Sequence, residues 1–413
     1  MRELKALEIA ARYKIEYRNG TWFVPSQSNG GKYRVVIDGD VSCQCDDFQL
    51  TKKPCKHVIA CRLVWERDKG ETVPVVVDAV PKKPTYKQNW PLYEKAQLTE
   101  KDRFQELLFD LCRGIEEPAR PSNLTGRKPV PLADQVFACA FKVFSTFSSR
   151  RFACDLAEAH RKEFLSVLPH ARCINRFMED ERLTPILENL IVQTSLPLRA
   201  IETSFAPDST GFSVSRFVRW FNEKYGEEKS GRDWVKAHAM CGIQTNIVTA
   251  VFIDERHTGD ITQFPGLVNA TAENFTIKDV CADKAYLSRE NLELVHNKSG
   301  TAFIPFKSNS KSDTQGTLWE KMFHFYQFNR EDFLRRYHQR SNIESTFAML
   351  KAKFRDHVRS KTDVAMKNEV LLKFLCHNIV VVHQSIIELG IEGTFWKSNR
   401  RTESPMLKFP GVG

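Results

Sequence analysis

The stretch that most constrains this 413-residue chain is 337–354, YHQRSNIESTFAMLKAKF. Ile343, Phe347, Leu350 and Phe354 step by four, three and four residues, which draws an apolar stripe along one helix. Tyr337, Arg340, Glu344 and Lys351 stand at offsets of 3, 7 and 14 from the first. At about 100° per helical residue they fall within an arc of about 60°. A single helix would thus bury one face and show beside it one carboxylate, two cations and a phenol. An ordinary amphipathic helix with Glu344 and Lys351 in solvent would give the same pattern, so its meaning depends on the rest of the chain.

Two aspartates supply that context. At 198 the apolar period changes from helical to extended, and a short strand from Ile201 leads to Pro207-Asp208-Ser209-Thr210-Gly211. Val280-Cys281-Ala282 reads as a buried strand ending in Asp283. Further strands are expected at 234–242, 246–253 and 302–306, with a helix at 262–274, another opened by Ser288, and helices from 306 to about 388. Taken singly, Asp208 and Asp283 read as turn or cap residues. Placed at strand ends on one rim, with Glu344 on a helix packed across it, the three carboxylates describe one site. Converging oxygens suit Mg²⁺ or Mn²⁺, hard ions that keep open positions for water and phosphate. Two such ions about 3.5–4 Å apart can serve both the attacking and the leaving oxygen of a phosphodiester.

The N-terminal segment carries a different metal chemistry. Extended runs at 21–24 and 33–37 flank a turn-forming SQSNGG and lead to Cys43-Gln44-Cys45, Cys55-Lys56-His57 and a helical pattern. Three thiols and an imidazole form the N/S set that zinc prefers. In an extended segment Cys43 and Cys45 point to the same side. Three core cysteines and a surface histidine are the alternative. The other eight cysteines are scattered in apolar or helical contexts and read as buried small side chains, not disulfides.

Between these segments, prolines at 74, 81, 84, 118 and 121 suggest a linker around one helix at 100–112. Helical patterns follow at 132–147, 154–164 and 173–192, with Arg150 and Arg151 between two of them. That bundle either turns its arginines to DNA or simply packs. The net charge is +10, and 298–413 holds 19 basic against 11 acidic residues, +8 of that total. The bias points to a polyanion such as nucleic acid near the organising helix. No run approaching 18 apolar residues and no secretory pattern is evident, so a cytoplasmic, nucleoid-associated protein without membrane contact is expected.

Two resemblances sharpen the reading. Residues 43–57, CxC…CxH in a strand-strand-helix setting, resemble the SWIM zinc finger, which implies Cys43, Cys45, Cys55 and His57 as the ligands of a structural zinc and a module that binds DNA or protein. Tyr337, Arg340, Glu344 and Lys351 meet the pattern Tyr-x2-Arg-x3-Glu-x6-Lys of a large group of insertion-sequence DDE transposases. Asp208 with its neighbours and Ala282-Asp283-Lys284-Ala285-Tyr286 look like that group's first and second acidic motifs. The likeness implies an RNase H-like fold, Asp208, Asp283 and Glu344 as catalytic metal ligands, and Tyr337, Arg340 and Lys351 on DNA phosphates. It also implies terminal inverted repeats and target DNA as partners, and a homodimer in the synaptic complex. Some members insert a large β-rich domain between the second Asp and the Glu, with a base-stacking tryptophan. Here those acids stand 61 positions apart, too few for it, and Trp319 is either a substitute or a core residue.

The expected fold class is α/β: a small ββα SWIM-type module at 1–69, a linker at 70–127, a helical and possible DNA-binding domain at 128–197, an RNase H-like catalytic domain at 198–388 and a tail at 389–413. The expected function is a DNA transposase that cleaves at element ends and transfers the strand to target DNA. A catalytically inactive regulator descended from such an enzyme is the alternative, and a nuclease that cuts without joining is a third.

Overall fold

The computed structural model describes residues 2–26, 31–68, 89–117, 129–214, 234–254, 259–307, 309–312 and 316–396. The proline-rich stretches 69–88 and 118–128, most of the expected turn at 27–30 and the tail beyond 396 lie outside them. The chain divides into two units, Met1–Gln88 and Asn89–Gly413.

The first unit holds α1 (Arg2–Arg12), the strands β1 (Glu16–Arg18), β2 (Thr21–Pro25), β3 (Lys32–Val36) and β4 (Ser42–Cys43), then α2 (Asp46–Thr51) and α3 (Lys56–Asp68). The strands form an antiparallel sheet in sequential order. Trp22 and Val24 alternate inward on β2 and meet Val35, with Ala6 and Ile9 of α1 and Val58, Cys61 and Val64 of α3 closing the core. The two expected strands and the helix are present. Helices α1 and α2 and strand β1 are additions that the sequence pattern did not disclose, because their apolar residues are few and only tertiary contact makes them one face.

The second unit is built from α4 (Trp90–Cys112), α5 (Leu132–Ser145), α6 (Ser149–Arg161), α7 (Cys173–Met178), α8 (Leu183–Ser195), β5 (Ser204–Ser213), β6 (Trp234–Gly242), β7 (Val248–Asp254), α9 (Asp260–Ala272), β8 (Asp279–Cys281), α10 (Arg289–Asn297), β9 (Thr301–Phe303), α11 (Leu318–Phe328), α12 (Arg330–Tyr337), α13 (Ser341–Phe354) and α14 (Asp363–Leu389). Its sheet runs β7-β6-β5-β8-β9, with β5, β6 and β7 antiparallel and β8 and β9 parallel to β5. Three antiparallel strands followed by two parallel ones is the RNase H-like arrangement. Elements pack on opposite faces of the sheet: Phe205 on β5 meets Phe275 just after α9, while Phe212 meets Phe374 of α14.

Several elements differ from the sequence reading. Helix α4 starts ten residues before the expected 100, capped by Asn89 with Pro91 in its first turn, and buries Ala96, Phe104, Leu108 and Leu111. Much of the stretch read as linker is therefore core. The expected helix at 173–192 is split into α7 and α8 because Asp180 takes the backbone and side chain of Arg182 between them. Helix α6 begins at Ser149, which places Arg150 and Arg151 exposed in its first turn. Helices α4 to α8 and the sheet share one continuous hydrophobic core, so the expected boundaries at 127 and 197 do not separate compact units. All eleven cysteines are free, and Cys154 is exposed rather than buried.

Helix α14 is the centre of this unit. By length and hydropathy it could cross a bilayer, contrary to the sequence reading, but 78% of its most apolar window is buried inside the fold. Its polar side chains are buried too. Asn378 donates to the carbonyls of Ile191 and Val248 and accepts from Val248 N at 2.9 Å. His377 Nε2 meets the Asn246 carbonyl at 2.9 Å, and His383 Nε2 meets that of Ala96 at 2.9 Å.

Asn378→Leu leaves those carbonyls and an amide unpaired, so it is expected to cost about 2–4 kcal/mol in chemical denaturation. Burial pushes His377 down to about 4. Its unfolded form binds the proton more readily, so stability is present above the ordinary imidazole range and is lost as pH falls through it towards 4. Denaturation midpoints measured across that window should fall less steeply for His377→Gln than for the parent chain.

Candidate active site and metal centre

The first unit gathers Cys43, Cys45, Cys55 and His57, all buried, with their ligand atoms within 4.8 Å of one another. Strand β4 presents Cys43 through its pairing with Val35, Cys45 caps α2, and Cys55 and His57 stand at the start of α3. Cys43 Sγ and Cys55 Sγ lie 3.8 and 3.9 Å from His57 Nδ1. Those are close to the edge lengths of a tetrahedron with zinc bonds of about 2.0–2.3 Å. Tyr33 stacks obliquely on the imidazole at 4.5 Å and fixes its plane. Without a cation the thiols compete for protons. The Cys43 thiol donates to Cys55 and pushes it down to about 3, while Cys43 itself is raised. A cation bound to all three sulfurs removes that conflict, and the donor set fits zinc closed by four protein ligands.

The second unit brings the acidic residues together by register. Ser204 and Phe205 on β5 pair in parallel with Asp279 and Val280 on β8, so both strands run towards the same edge, β5 through Asp208 and β8 into Asp283. Asp208 is not at a strand end, as expected from the sequence, but within β5, because β6 pairs with that strand over its full length. Asp283 follows β8 and caps the turn Lys284–Tyr286, accepting from Lys284 N at 2.6 Å.

The third acid comes from α13, and its stripe is the expected one: Ile343, Phe347, Leu350 and Phe354 are all buried. Asn342 donates to the Ile243 carbonyl at 2.7 Å, and Thr346 reaches Asn246 at 3.2 Å and Cys241 at 3.1 Å. These bonds pin α13 to the β6–β7 turn. The helix expected to run unbroken from 337 to 354 is interrupted. Helix α12 ends at Tyr337, His338–Arg340 form a tighter turn, and α13 begins at Ser341. The end of α12 is tied separately to β8, by the Arg336–Asp279 ion pair at 2.8 Å and by Cys281 donating to the Arg336 carbonyl. The tighter turn joins two segments that are anchored independently.

Arg340 stands at the centre of this arrangement. Its Nη1 lies 3.3 Å from Asp208 Oδ2 and its Nη2 2.7 Å from Glu344 Oε1. Burial works against the guanidinium charge, yet Tyr337, Asp208, Glu344 and Asp283 together more than offset it. Burial raises Asp208, a hydrogen bond from Ser209 N and the field of Arg340 oppose the rise, and Asp260 and Glu344 add to it. Burial likewise raises Tyr337. Lys351 is half-buried with its Nζ 5.5 Å from the Phe212 ring centroid, and burial lowers it. Among the described residues the cysteine–histidine group is the one cluster of three or more potential ligands whose donor atoms converge. Asp208 and Glu344 are instead bridged by the guanidinium, a cation placed between two carboxylates. Hard oxygen donors on either side of a partly buried positive charge are of the type that suits a divalent cation.

Three residues near the site carry no signal in the sequence reading. Asp260 opens α9 on the other face of β5 and β6, where its Oδ1 lies 2.7 Å from Lys236 Nζ and 3.4 Å from His238 Nδ1. His238 is fully buried, and burial lowers it. The Tyr286 hydroxyl is buried without a hydrogen-bond partner, and after burial itself the fields of Asp260, Asp208 and Asp283 raise it furthest. The Gly259-Asp260 pair ahead of an apolar pattern was the one available hint, since an acid belongs in a first helical turn. Trp319 is half-buried against Phe306, its Nε1 donating to Lys311 at 3.0 Å and Arg289 stacked 4.7 Å from its ring.

A mixed sheet of three antiparallel and two parallel strands, flanked by helices, gives the second unit an RNase H-like fold, and a cysteine–histidine metal module precedes it. Comparison with known families agrees: residues 202–379 match the family described as Transposase DDE domain, and residues 33–60 match SWIM zinc finger. The chain thus carries a transposase DDE domain with an N-terminal SWIM zinc finger. Among solved structures, a piggyBac transposase synaptic complex with hairpin DNA, determined by cryo-EM, is 11% identical at a TM-score of 0.36, covering 72% of this chain and 77% of that one. No curated protein matches.

Natively purified protein is expected to contain about one zinc per chain by elemental analysis, since apo modules of this size seldom hold together. Chelation, or Cys55→Ser, should release the zinc and abolish hydrogen-exchange protection in 31–68 while leaving that of α14 in place.

Proposed function

We propose that the protein is a DNA transposase that cleaves phosphodiesters at the ends of its element and joins the liberated end to target DNA. The transposase DDE domain supports transposase function at the level of the class. The single observation that carries the finer reading is the bridging of Asp208 and Glu344, from separate elements, by the one guanidinium of Arg340, with Asp283 near enough to act on its charge.

In this reading Asp208, Asp283 and Glu344 hold divalent metal, Mg²⁺ or Mn²⁺. When bound, the metal polarises the scissile phosphate and lowers the pKa of the attacking water or 3′-hydroxyl. The chain's own residues do the rest. Asp208 is partly buried, and that burial raises its affinity for a proton. Arg340 opposes the burial-driven rise of Asp208 and is already held beside Asp208 and Glu344, so its planar fork is preorganised for a phosphate. Tyr337, tied to β8 through Arg336, adds a phenol within reach of the same charge cluster. Lys351 supplies a further positive charge two turns past Glu344, propped on Phe212. The route from Asp283 to Glu344 holds α10, β9, α11 and α12 among the described residues, and the packing of Trp319 gives no support to a role in base stacking. Terminal inverted repeats and target DNA are the expected substrates, with two chains in the synaptic complex.

The test is cleavage of DNA carrying the ends of the genomic element that encodes the chain, in Mg²⁺. Asp208→Asn, Asp283→Asn and Glu344→Gln are each expected to lower the rate at least about a thousandfold, equivalent to about 4 kcal/mol, with binding retained. Arg340→Lys should slow cleavage although the charge is unchanged, and Lys351→Gln should lower the salt slope of binding by about one unit. Wild-type protein that binds the ends and never cuts them would instead favour the inactive regulator.

A further inference from the structure

Away from the three acids, the ends of α5 and α13 and the first half of α14 enclose a cavity of about 460 Å³. Lys142, Arg355, Arg359, Lys361 and Lys373 line it against two acids, Glu179 and Glu369, a local excess of three positive charges. Glu369 offsets part of that excess, since its field favours the charged forms of Lys373, Lys142 and Arg359. Its oxygens are taken by the backbone N–H of Arg359 at 2.9–3.0 Å, that of Ser360 at 2.8 Å and the Ser360 hydroxyl at 2.7 Å.

The cations are anchored on main-chain carbonyls instead. Lys373 donates to the carbonyls of Arg355 and His357 at 3.0 and 2.6 Å, Arg355 to that of Thr146 at 3.2 Å, and Arg359 to that of Phe147 at 3.0 Å, which Lys142 also reaches. Carbonyls at helix C-termini attract cations, which accounts for one or two of them. It does not account for five, and a single carbonyl occupies one of the five N–H groups of each guanidinium. Burial pushes both Lys142 and Lys373 down to about 8, and Arg355 and Arg359 add to the effect on each. The cluster is thus a set of fixed, crowded donors that outnumber the acids lining the cavity by three.

The cavity also borders the end of α13, since Phe354 and Arg355 line it. Lys373 Nζ sits 5.1 Å from the Phe212 ring centroid, and Lys351 Nζ is 5.5 Å from the same ring. Phe212 lies on β5 four residues beyond Asp208, on the same side of the strand. Helix α13 runs from Glu344 to Phe354 at the cavity wall, with Lys351 between them. At 1.5 Å per residue, the helical rise from Glu344 to the end of α13 is about 15 Å, enough for two or three successive phosphates.

We propose that this cavity holds backbone phosphodiesters of the DNA strand that leaves the acidic site along α13. The inference rests on the DNA-binding reading above, but not on catalysis, so it is tested with Asp208→Asn protein in the absence of divalent ions. Binding of a short fluorescent duplex from the element end is followed by anisotropy at several salt concentrations. Arg359→Gln and Lys361→Gln, at the rim, are each expected to lower the salt slope by about one unit, whereas Lys298→Gln, outside the cavity, should leave it unchanged. A second measurement needs no cavity variant: acylation of lysines, read by mass spectrometry, should show Lys142 and Lys361 protected by the duplex. Unchanged slopes, or no protection of Lys142 when the duplex is bound, would overturn the inference while leaving the proposed function standing. Protection by inorganic phosphate alone, with slopes unchanged, would make the cavity a free-anion site and also overturn it. Failure of the protein to bind the duplex at all would remove both readings.

Discussion

The second unit depends on the buried polar side chains of one helix. A 27-residue segment as apolar as α14 could pack in many rotations if its partners were only hydrophobic. Asn368, Glu369, Lys373, His377, Asn378 and His383 remove that freedom, because each must find its partner where water cannot reach. Asn378 bridges α8 and β7, His377 holds the turn at Asn246, Lys373 gathers the carbonyls after α13, and Asn368 closes the end of α7. Irregular segments that would otherwise leave buried peptide groups unpaired are fixed by side chains from a single rigid element.

The acidic site inherits its geometry from that clamp. The turn held by His377 is also the one that Thr346 of α13 engages through Asn246, so the helix bearing Glu344 is referenced to the same point as the core helix. Strands β5 and β8, which carry Asp208 and lead into Asp283, are held in parallel register. None of the three carboxylates lies on a long loop. Arg340 offsets the repulsion between Asp208 and Glu344 in part, and the acids remain in excess of it.

The N-terminal unit is organised by a different economy. Its core is small, a few aliphatic and aromatic side chains between a narrow sheet and two helices, and a unit of that size is marginal by apolar burial alone. Four ligand atoms drawn from a strand end, a helix cap and a helix start cross-link segments distant in the chain. Metal binding free energy then becomes folding free energy.

What could be read from the linear chain was whatever local spacing encodes. The apolar stripe of α13, the CxC…CxH ligands, the acids at 208 and 283 and the strand at 234–242 all rest on periodicity or on residue types whose chemistry narrows their use. Helix α4 was half-hidden because the linker signal of its flanking prolines masked a start set by Asn89 and Pro91. The helix break at 338–340 was invisible, since the sequence there is as helical as its neighbours and the interruption comes from two anchors on different strands. Asp260, His238 and Tyr286 were unreadable because they gather behind β5 through β6, α9 and the turn after β8, segments without a shared local pattern. The same holds for the cationic cavity, whose members are more than two hundred positions apart from Lys142 to Lys373. The sequence by itself determined which residues could bind metal and which faces were apolar, because those are properties of side chains and short spacings. Only the tertiary structure decided which charges meet, because burial and register, not proximity in the chain, set the distances over which charges act.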